Sequence, residues 1–186
     1  MKVQGSKFKV QSSEAITSTK NQMVKDAVKL MDRRHRDETG LMLIEGLKEL
    51  QLAVKKGIEF ERLFYCEELF RGSDERDILI EVERRGVELL PVNRHVFEKL
   101  AYREESVGLV AVARQPRFAL DDFPLGKPPL LVIVEGVEKP GNLGAILRSA
   151  DAASADGVIV CGKSTDIYNP NVIRASIGTV FTVPTV

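Results

Sequence analysis

Long apolar runs are missing from this chain. None approaches the ~20 residues that a helix needs to cross a bilayer. The leading residues, MKVQGSKFKVQSS, lack the apolar stretch of a signal peptide. Cysteine is scarce. Cys66 and Cys161 each lie in or beside an apolar, strand-like run, which suits free thiols in a reducing cytoplasm. That excludes a disulfide framework, and His35 and His95 are too few and too far apart for a metal cluster. No metal and no membrane are expected. No internal repeat is visible either, so solenoid and propeller architectures fall away.

The chain has 186 residues, of which 44% are hydrophobic. That is enough apolar material for a packed core, in one large domain or two small ones. Net charge is zero but unevenly spread. Residues 1–36 carry nine Lys or Arg against three acids, a local charge of +6. A basic leader on a neutral body suits contact with a polyanion, and equally suits a solvated helix and a loose tail.

Read in order, residues 1–15 suggest a mobile basic arm. A helix is expected from about Lys20 to Arg36, capped by Ser18 or Thr19, with Met23, Ala27, Leu30 and Met31 as its buried stripe. Lys25, Lys29, Arg33 and Arg36 then fall at spacings of four, four and three and line one exposed face. Such a row costs helix stability unless a partner neutralises it, which makes these four the candidate RNA-phosphate contacts. Pairing with Asp26 and Asp32 is the plainer alternative. Strands are expected at Leu41 to Glu45, Phe60 to Cys66, Val87 to Leu90 and Gly108 to Ala113. Helices are expected at Leu47 to Lys56, Asp74 to Arg85 and from Asn93 to Leu100. Alternation of this kind implies a small α/β sandwich over 16–114. Four prolines in QPRFALDDFPLGKPP mark 115–128 as a semi-rigid linker.

Residues 129–186 begin with LLVIV, a short β-branched run between Pro129 and Gly136 that reads as a strand buried on both faces. A turn with Pro140, Gly141 and Asn142 leads into a helix from about Leu143 to Ala153, and Gly157 to Val160 supplies a second strand. This strand–turn–helix–strand unit belongs to a parallel sheet. A short helix from Asn171 to Ile177 and a strand from Val180 to Val183 are expected after it. The turn lies where open α/β sheets bind ligands, at the carboxyl end of a strand. It has no GxGxxG and no P-loop lysine, so neither nucleotide fingerprint is present. Gly141 and Gly144 read equally as packing residues. Asn142 reads as the helix N-cap, and Arg148, six residues on, shares its face only loosely. Glu135 at the strand end reads as a solvated carboxylate or as a weaker member of the same site.

NLGAILRSADAASADGVIV resembles the first motif of the SpoU or TrmH-like RNA ribose 2'-O-methyltransferases of the SPOUT superfamily, through Asn142, Gly144, Arg148, Ala150 and Gly157. NPNVIRASIGTVFTVP, with Arg174, Ser176, Gly178 and Pro184, resembles the family too, as do LMLIEGLKEL and VGLVAVA. The motif departs from the family at Ser154, where glycine is usual. The resemblance implies a fold: a ribosomal-protein-like α/β substrate-binding domain, then the first part of an α/β-knot methyltransferase domain. It implies methyl transfer from S-adenosylmethionine to a 2'-hydroxyl of RNA, with ribosomal RNA as the expected substrate, by a homodimer. It implies a catalytic role for Arg148, as charge stabiliser of the reacting ribose, with Asn142 orienting it or the substrate. The family's second and third motifs, which build most of the donor pocket and the knot, would come after Val186. The expectation is therefore a fragment with little activity of its own and no assignable donor-binding residues. The alternatives are an RNA-binding module without activity, and an enzyme using another nucleotide at the Gly141–Gly144 turn.

Overall fold

The computed structural model describes residues 14–102 and 106–186, so most of the expected basic arm lies outside the described residues. A four-stranded mixed sheet comes first. Its strands are β1 (Leu41–Glu45), β2 (Phe60–Tyr65), β3 (Glu88–Pro91) and β4 (Leu109–Arg114), in the order β1-β4-β2-β3. β4 is central and antiparallel to both neighbours, while β2 and β3 run parallel. A parallel pair needs a crossover, and α4 (Asp74–Arg84) supplies it. The other helices around this sheet are α1 (Gln22–Lys29), α2 (Arg33–Thr39), α3 (Leu47–Lys55) and α5 (Arg94–Leu100), the last capped by Asn93, whose side chain accepts from Val96 N.

Successive residues along a strand face opposite sides. Leu43, Phe64, Val110 and Val112 meet Val24, Ala27 and Leu30 of the α1 segment and Val96, Phe97 and Leu100 of α5. Met42, Ile44, Leu63, Leu109 and Ala111 face α3 and α4 instead. The same apolar cluster continues into the second half of the chain.

That half holds β5 (Leu131–Glu135) and β6 (Gly157–Cys161), paired in parallel, with α6 (Pro140–Ala152) as their crossover and α7 (Pro170–Ala175) after β6. Leu143 and Leu147 of α6, Val172 and Ile173 of α7, and Val180 and Phe181 belong to one core with Met42, Ile44 and Leu50. The two sheets are separate, and one continuous apolar core lies between them.

Four expectations need correction. The single helix from Lys20 to Arg36 is two helices. Asn21, not Ser18 or Thr19, caps α1. Asp32 breaks the run by taking Arg34 N with its side chain at 2.7 Å and so capping a new helix. The strand LLVIV is not buried on both faces: Ile133 is 68% exposed and Leu131 lies at 36%, because no helix among the described residues covers that side. The 140–142 segment is the first turn of α6 rather than a preceding turn, since proline suits the first helical position. Val180 to Val183 is not a strand. A 3-10 turn, Thr179–Phe181, occupies it, and pairing with β6 comes later, through the Val158–Thr185 bridge and the bond from Val158 N to Pro184 O.

Arg36 is the residue most displaced from expectation. The second helix turns it inward, and it is 1% exposed. Its Nε and Nη2 reach Asp166 Oδ2 at 2.8 and 2.6 Å. Its Nη1 donates to the carbonyls of Leu30 and Met31 at 2.7 and 2.9 Å, the groups left open where α1 ends. Arg36 therefore leaves the expected RNA-facing row and becomes a structural link across the core. Tyr168 is a second link, its hydroxyl donating to Pro116 O at 2.6 Å.

Burial first, then the charge of Asp166, pushes the Tyr168 phenol well above its ordinary value. Folding thus favours the neutral phenol. This contribution is complete below about pH 10, where an unfolded tyrosine titrates, and is lost as pH rises through and beyond that value. Urea unfolding of Tyr168→Phe is expected to show a shallower alkaline decline than the parent between about pH 9 and 11. Parallel declines would place the titration elsewhere.

Candidate active site

Two loops meet at the carboxyl ends of β5 and β6, the position where parallel sheets bind ligands. Glu135 and Cys161 are the paired last residues of the two strands. Gly136 and Gly162, at φ 67° and 68°, turn both chains outward. The loops are laced together: Gly136 N donates to Cys161 O at 3.2 Å, and Thr165 N to Val137 O at 2.8 Å. Glu135 is exposed at this corner.

The glycines of the motif divide by what surrounds them. A Cβ at Gly144 would stand 2.5 Å from Ala175 Cβ and 2.7 Å from Ser176 N, so α6 and α7 meet only because that position is bare. A Cβ at Gly157 would fall 1.8 Å from Phe123, the linker ring that packs there. Ala150 is buried at 2%. These three are packing residues. Gly141 is different, with nothing within 4 Å of its Cβ position. Ser154, where glycine is usual, keeps the left-handed backbone of a helix C-terminus, at φ 53°.

Asn142 and Arg148 are both exposed on α6. The helix runs unbroken through Gly144, so six residues separate them by about 9 Å along the axis and about 120° around it. The structure does not bring the two together. Asn142 is not the N-cap, because Lys139 holds that position and has no side-chain cap bond. Arg148 turns instead toward α7, where its Nη1 donates to Ala175 O. Ser176 beside it is buried, its Oγ donating to Ile173 O at 2.9 Å. Arg174, in the last turn of α7, is exposed.

Lys25, Lys29 and Arg33 stay at the surface. Lys29 pairs with Asp26 at 2.8 Å, and this bond, then that from Gln22, holds the Asp26 carboxyl below its usual value. Arg33 lies 3.5 Å from Asp37. The Arg36–Asp166 pair escaped the reading of the sequence, although a signal was present. Arg33 and Arg34 each meet an acid four residues on, Asp37 and Glu38, whereas Arg36 meets Gly40. Among the described residues no group of His, Cys, Asp and Glu could hold a metal ion, and no helix is long and apolar enough to cross a membrane.

A mixed-sheet domain packed on a parallel β–α–β unit, with an exposed arginine on the crossover helix, defines an α/β protein of SPOUT type. Residues 21–111 match the family model of the MRM3-like substrate binding domain, and residues 129–186 match that of the SpoU rRNA Methylase family. Residues 129–186 thus belong to the SpoU rRNA Methylase family. It is 32% identical over 158 residues to a 23S rRNA (uridine(2479)-2'-O)-methyltransferase of Streptomyces viridochromogenes, covering 84% of this chain and 54% of that protein. It resembles the crystal structure of an RNA 2'-O ribose methyltransferase, with TM-score 0.79, 40% identity, and coverage of 92% of this chain and 64% of that one. It also resembles the AdoMet-bound rRNA methyltransferase of Sinorhizobium meliloti, with TM-score 0.81, 32% identity, and coverage of 92% and 63%. The chain thus spans between about half and two thirds of these relatives' length.

Gly144 and Gly141 separate packing from openness along one helix. Gly144→Ala is expected to cost about 1–3 kcal/mol, because α7 must shift. Gly141→Ala is expected to be neutral or to stabilise by up to about 1 kcal/mol, since alanine favours a helix and meets nothing there. Denaturant unfolding of both variants checks this, and equal losses would contradict it.

Proposed function

We propose that this chain carries the RNA-docking domain and the first part of the methyl-transfer domain of an S-adenosylmethionine-dependent ribosomal RNA ribose 2'-O-methyltransferase. The proposed division is docking domain 16–114, linker 115–128 and methyl-transfer part 129–186. The observation that carries the reading is Arg148: it is exposed about two turns along α6 and directed by a bond to α7, with no acid paired to it among the described residues.

The donor supplies an electrophilic methyl group. Positioning is then the protein's main contribution. The corner fits one flank of such a ligand, because nothing lies within 4 Å of the Cβ positions of Gly136 and Gly141, which leaves the backbone approachable there. Arg148 stabilises the charge that develops on the ribose oxygen and holds the neighbouring phosphate with its planar fork. A guanidinium keeps its proton in proteins, so Arg148 acts by charge rather than as a base. Asn142, in the first turn of α6, offers its amide to the substrate and not to Arg148. Lys25, Lys29 and Arg33 take RNA phosphates, without Arg36. A homodimer and a cytoplasmic location are part of the same reading.

In a chain of the relatives' full length, Arg148→Ala is expected to lower kcat by about 10²-fold or more, the size of effect seen when one group stabilising a developing oxyanion is removed. Arg148→Lys is expected to recover little, because it loses the fork. A labelled-donor assay with saturating RNA decides this, and near-normal turnover in Arg148→Ala overturns the assignment. Absence of donor binding by calorimetry would leave an RNA-binding module.

Replacing Lys25, Lys29 and Arg33 together with alanine is expected to weaken RNA binding and flatten its salt dependence. The log–log slope should fall by about 0.7 to 0.9 for each phosphate that is no longer neutralised. An unchanged slope would assign the three side chains to solvent.

A further inference from the structure

We infer that Arg36 is a positioning residue: through Asp166 it fixes the β6–α7 segment and thereby the α7 carbonyl that directs Arg148. The inference rests on the reading of Arg148 given above. It makes the docking domain a working part of the methyl-transfer site.

The path consists of named bonds. Asp166 Oδ2 takes two N–H groups of Arg36, while Oδ1 takes Tyr168 N at 2.9 Å. Asp166 O takes Asn169 N at 3.1 Å, and Asn169 caps α7 by accepting Asn171 N at 2.9 Å. Val172 and Ile173 lock α7 into the shared core. Ala175 O, at the end of α7, accepts Arg148 Nη1, and bare Gly144 lets α6 press against that same residue. Thr165 N, bonded to Val137 O, ties the segment to the corner itself.

Chemistry explains why an ion pair stands at the head of this path. A buried pair stabilises a fold no better than apolar side chains of similar volume, because desolvation offsets the attraction. What it adds is direction. Five N–H donors in a rigid plane meet a carboxylate on one side and the Leu30 and Met31 carbonyls on another, so α2 and the 162–169 loop keep one register. Arg33, a candidate phosphate ligand, is exposed one turn earlier at the start of the same short helix. RNA held by α2 is thus connected to Arg148 by a chain of hydrogen bonds rather than by a loose linker.

Two variants and a control test this. Arg36→Lys keeps the charge and loses the fork. Asp166→Asn keeps the volume and an oxygen for Tyr168 N. Val24→Ala opens a cavity on the other face of the first sheet. In the 186-residue protein, amide hydrogen exchange is read at residues 163–177 against β2 and β4. The expected result is exchange at 163–177 at least about fivefold faster than the change in β2 and β4 for Arg36→Lys and Asp166→Asn. Val24→Ala should move all these amides in step. If 163–177 moves only in step with β2 and β4 in both pair variants, the inference is overturned.

A second arm uses a chain of the relatives' full length. Both pair variants should lower kcat at least about fivefold while RNA and donor dissociation constants stay within about twofold. Losses only in proportion to the unfolded fraction would overturn the inference and leave Arg148 untouched. Normal turnover in Arg148→Ala would instead overturn the reading of the site, whatever the pair variants do.

Discussion

A buried guanidinium that meets its carboxylate 130 residues away is the constraint on which the arrangement of this molecule depends. Neither charge of the Arg36–Asp166 pair reaches water freely, and each would be costly to bury alone. Each is satisfied only when the α1–α2 corner and the loop after β6 lie together. The apolar core shared by β1, α3, α6 and α7 provides the non-directional attraction between the two halves. The ion pair and the bond from Tyr168 to Pro116 select one orientation among those the apolar core would allow.

Close approach is the second constraint, and it is met by small residues. Gly144 admits Ala175, Gly157 admits Phe123, and Gly178, left-handed at φ 81°, would place a Cβ 3.0 Å from Glu49 Cα. Protein interiors are packed to near-crystalline density, so a single methyl group at such points displaces an element. Two of these glycines belong to the motif whose Asn142 and Arg148 carry the proposed chemistry. Packing and function are interleaved along one helix: its inner positions, Leu143, Gly144, Leu147 and Ala150, set how near α7 comes, and α7 then directs Arg148.

The outer side of β5 is a different surface. Leu131 and Ile133 are exposed on it, beside a groove of about 400 Å³ lined by Leu130, Val132, Ile146 and Ala150 among others. A parallel pair is normally covered on both faces. Here the inner face carries the core shared with the first sheet, and the outer face remains apolar and open among the described residues.

Most elements were legible in the sequence because their causes are local. β1 has its expected ends, Asn93 caps α5, and α3 and α4 end within one residue of expectation, before Gly57 and Gly86. Hydrophobic periodicity and turn residues act over a few positions and need no knowledge of the fold. The resemblance to the family rested on the spacing of Asn142, Gly144, Arg148, Ala150 and Gly157, which is equally local. Tertiary structure decided the rest. Periodicity says that a face is apolar but not what covers it, so β5 was expected to be enclosed and is not. Helical spacing placed Arg36 beside Lys29 and Arg33, yet a charge is free to turn inward once a carboxylate waits there. Val180 to Val183 has the composition of a strand but is held in a turn by packing against α3 and α6. The sequence by itself determined most of the segments that coil or extend. Which groups of those segments meet one another, Arg36 with Asp166 across the two halves and Arg148 with the Ala175 carbonyl between α6 and α7, was decided only by the tertiary structure. Arg36 and Asp166 are remote in the chain, and the energy that joins them exists only after burial has removed the water between them.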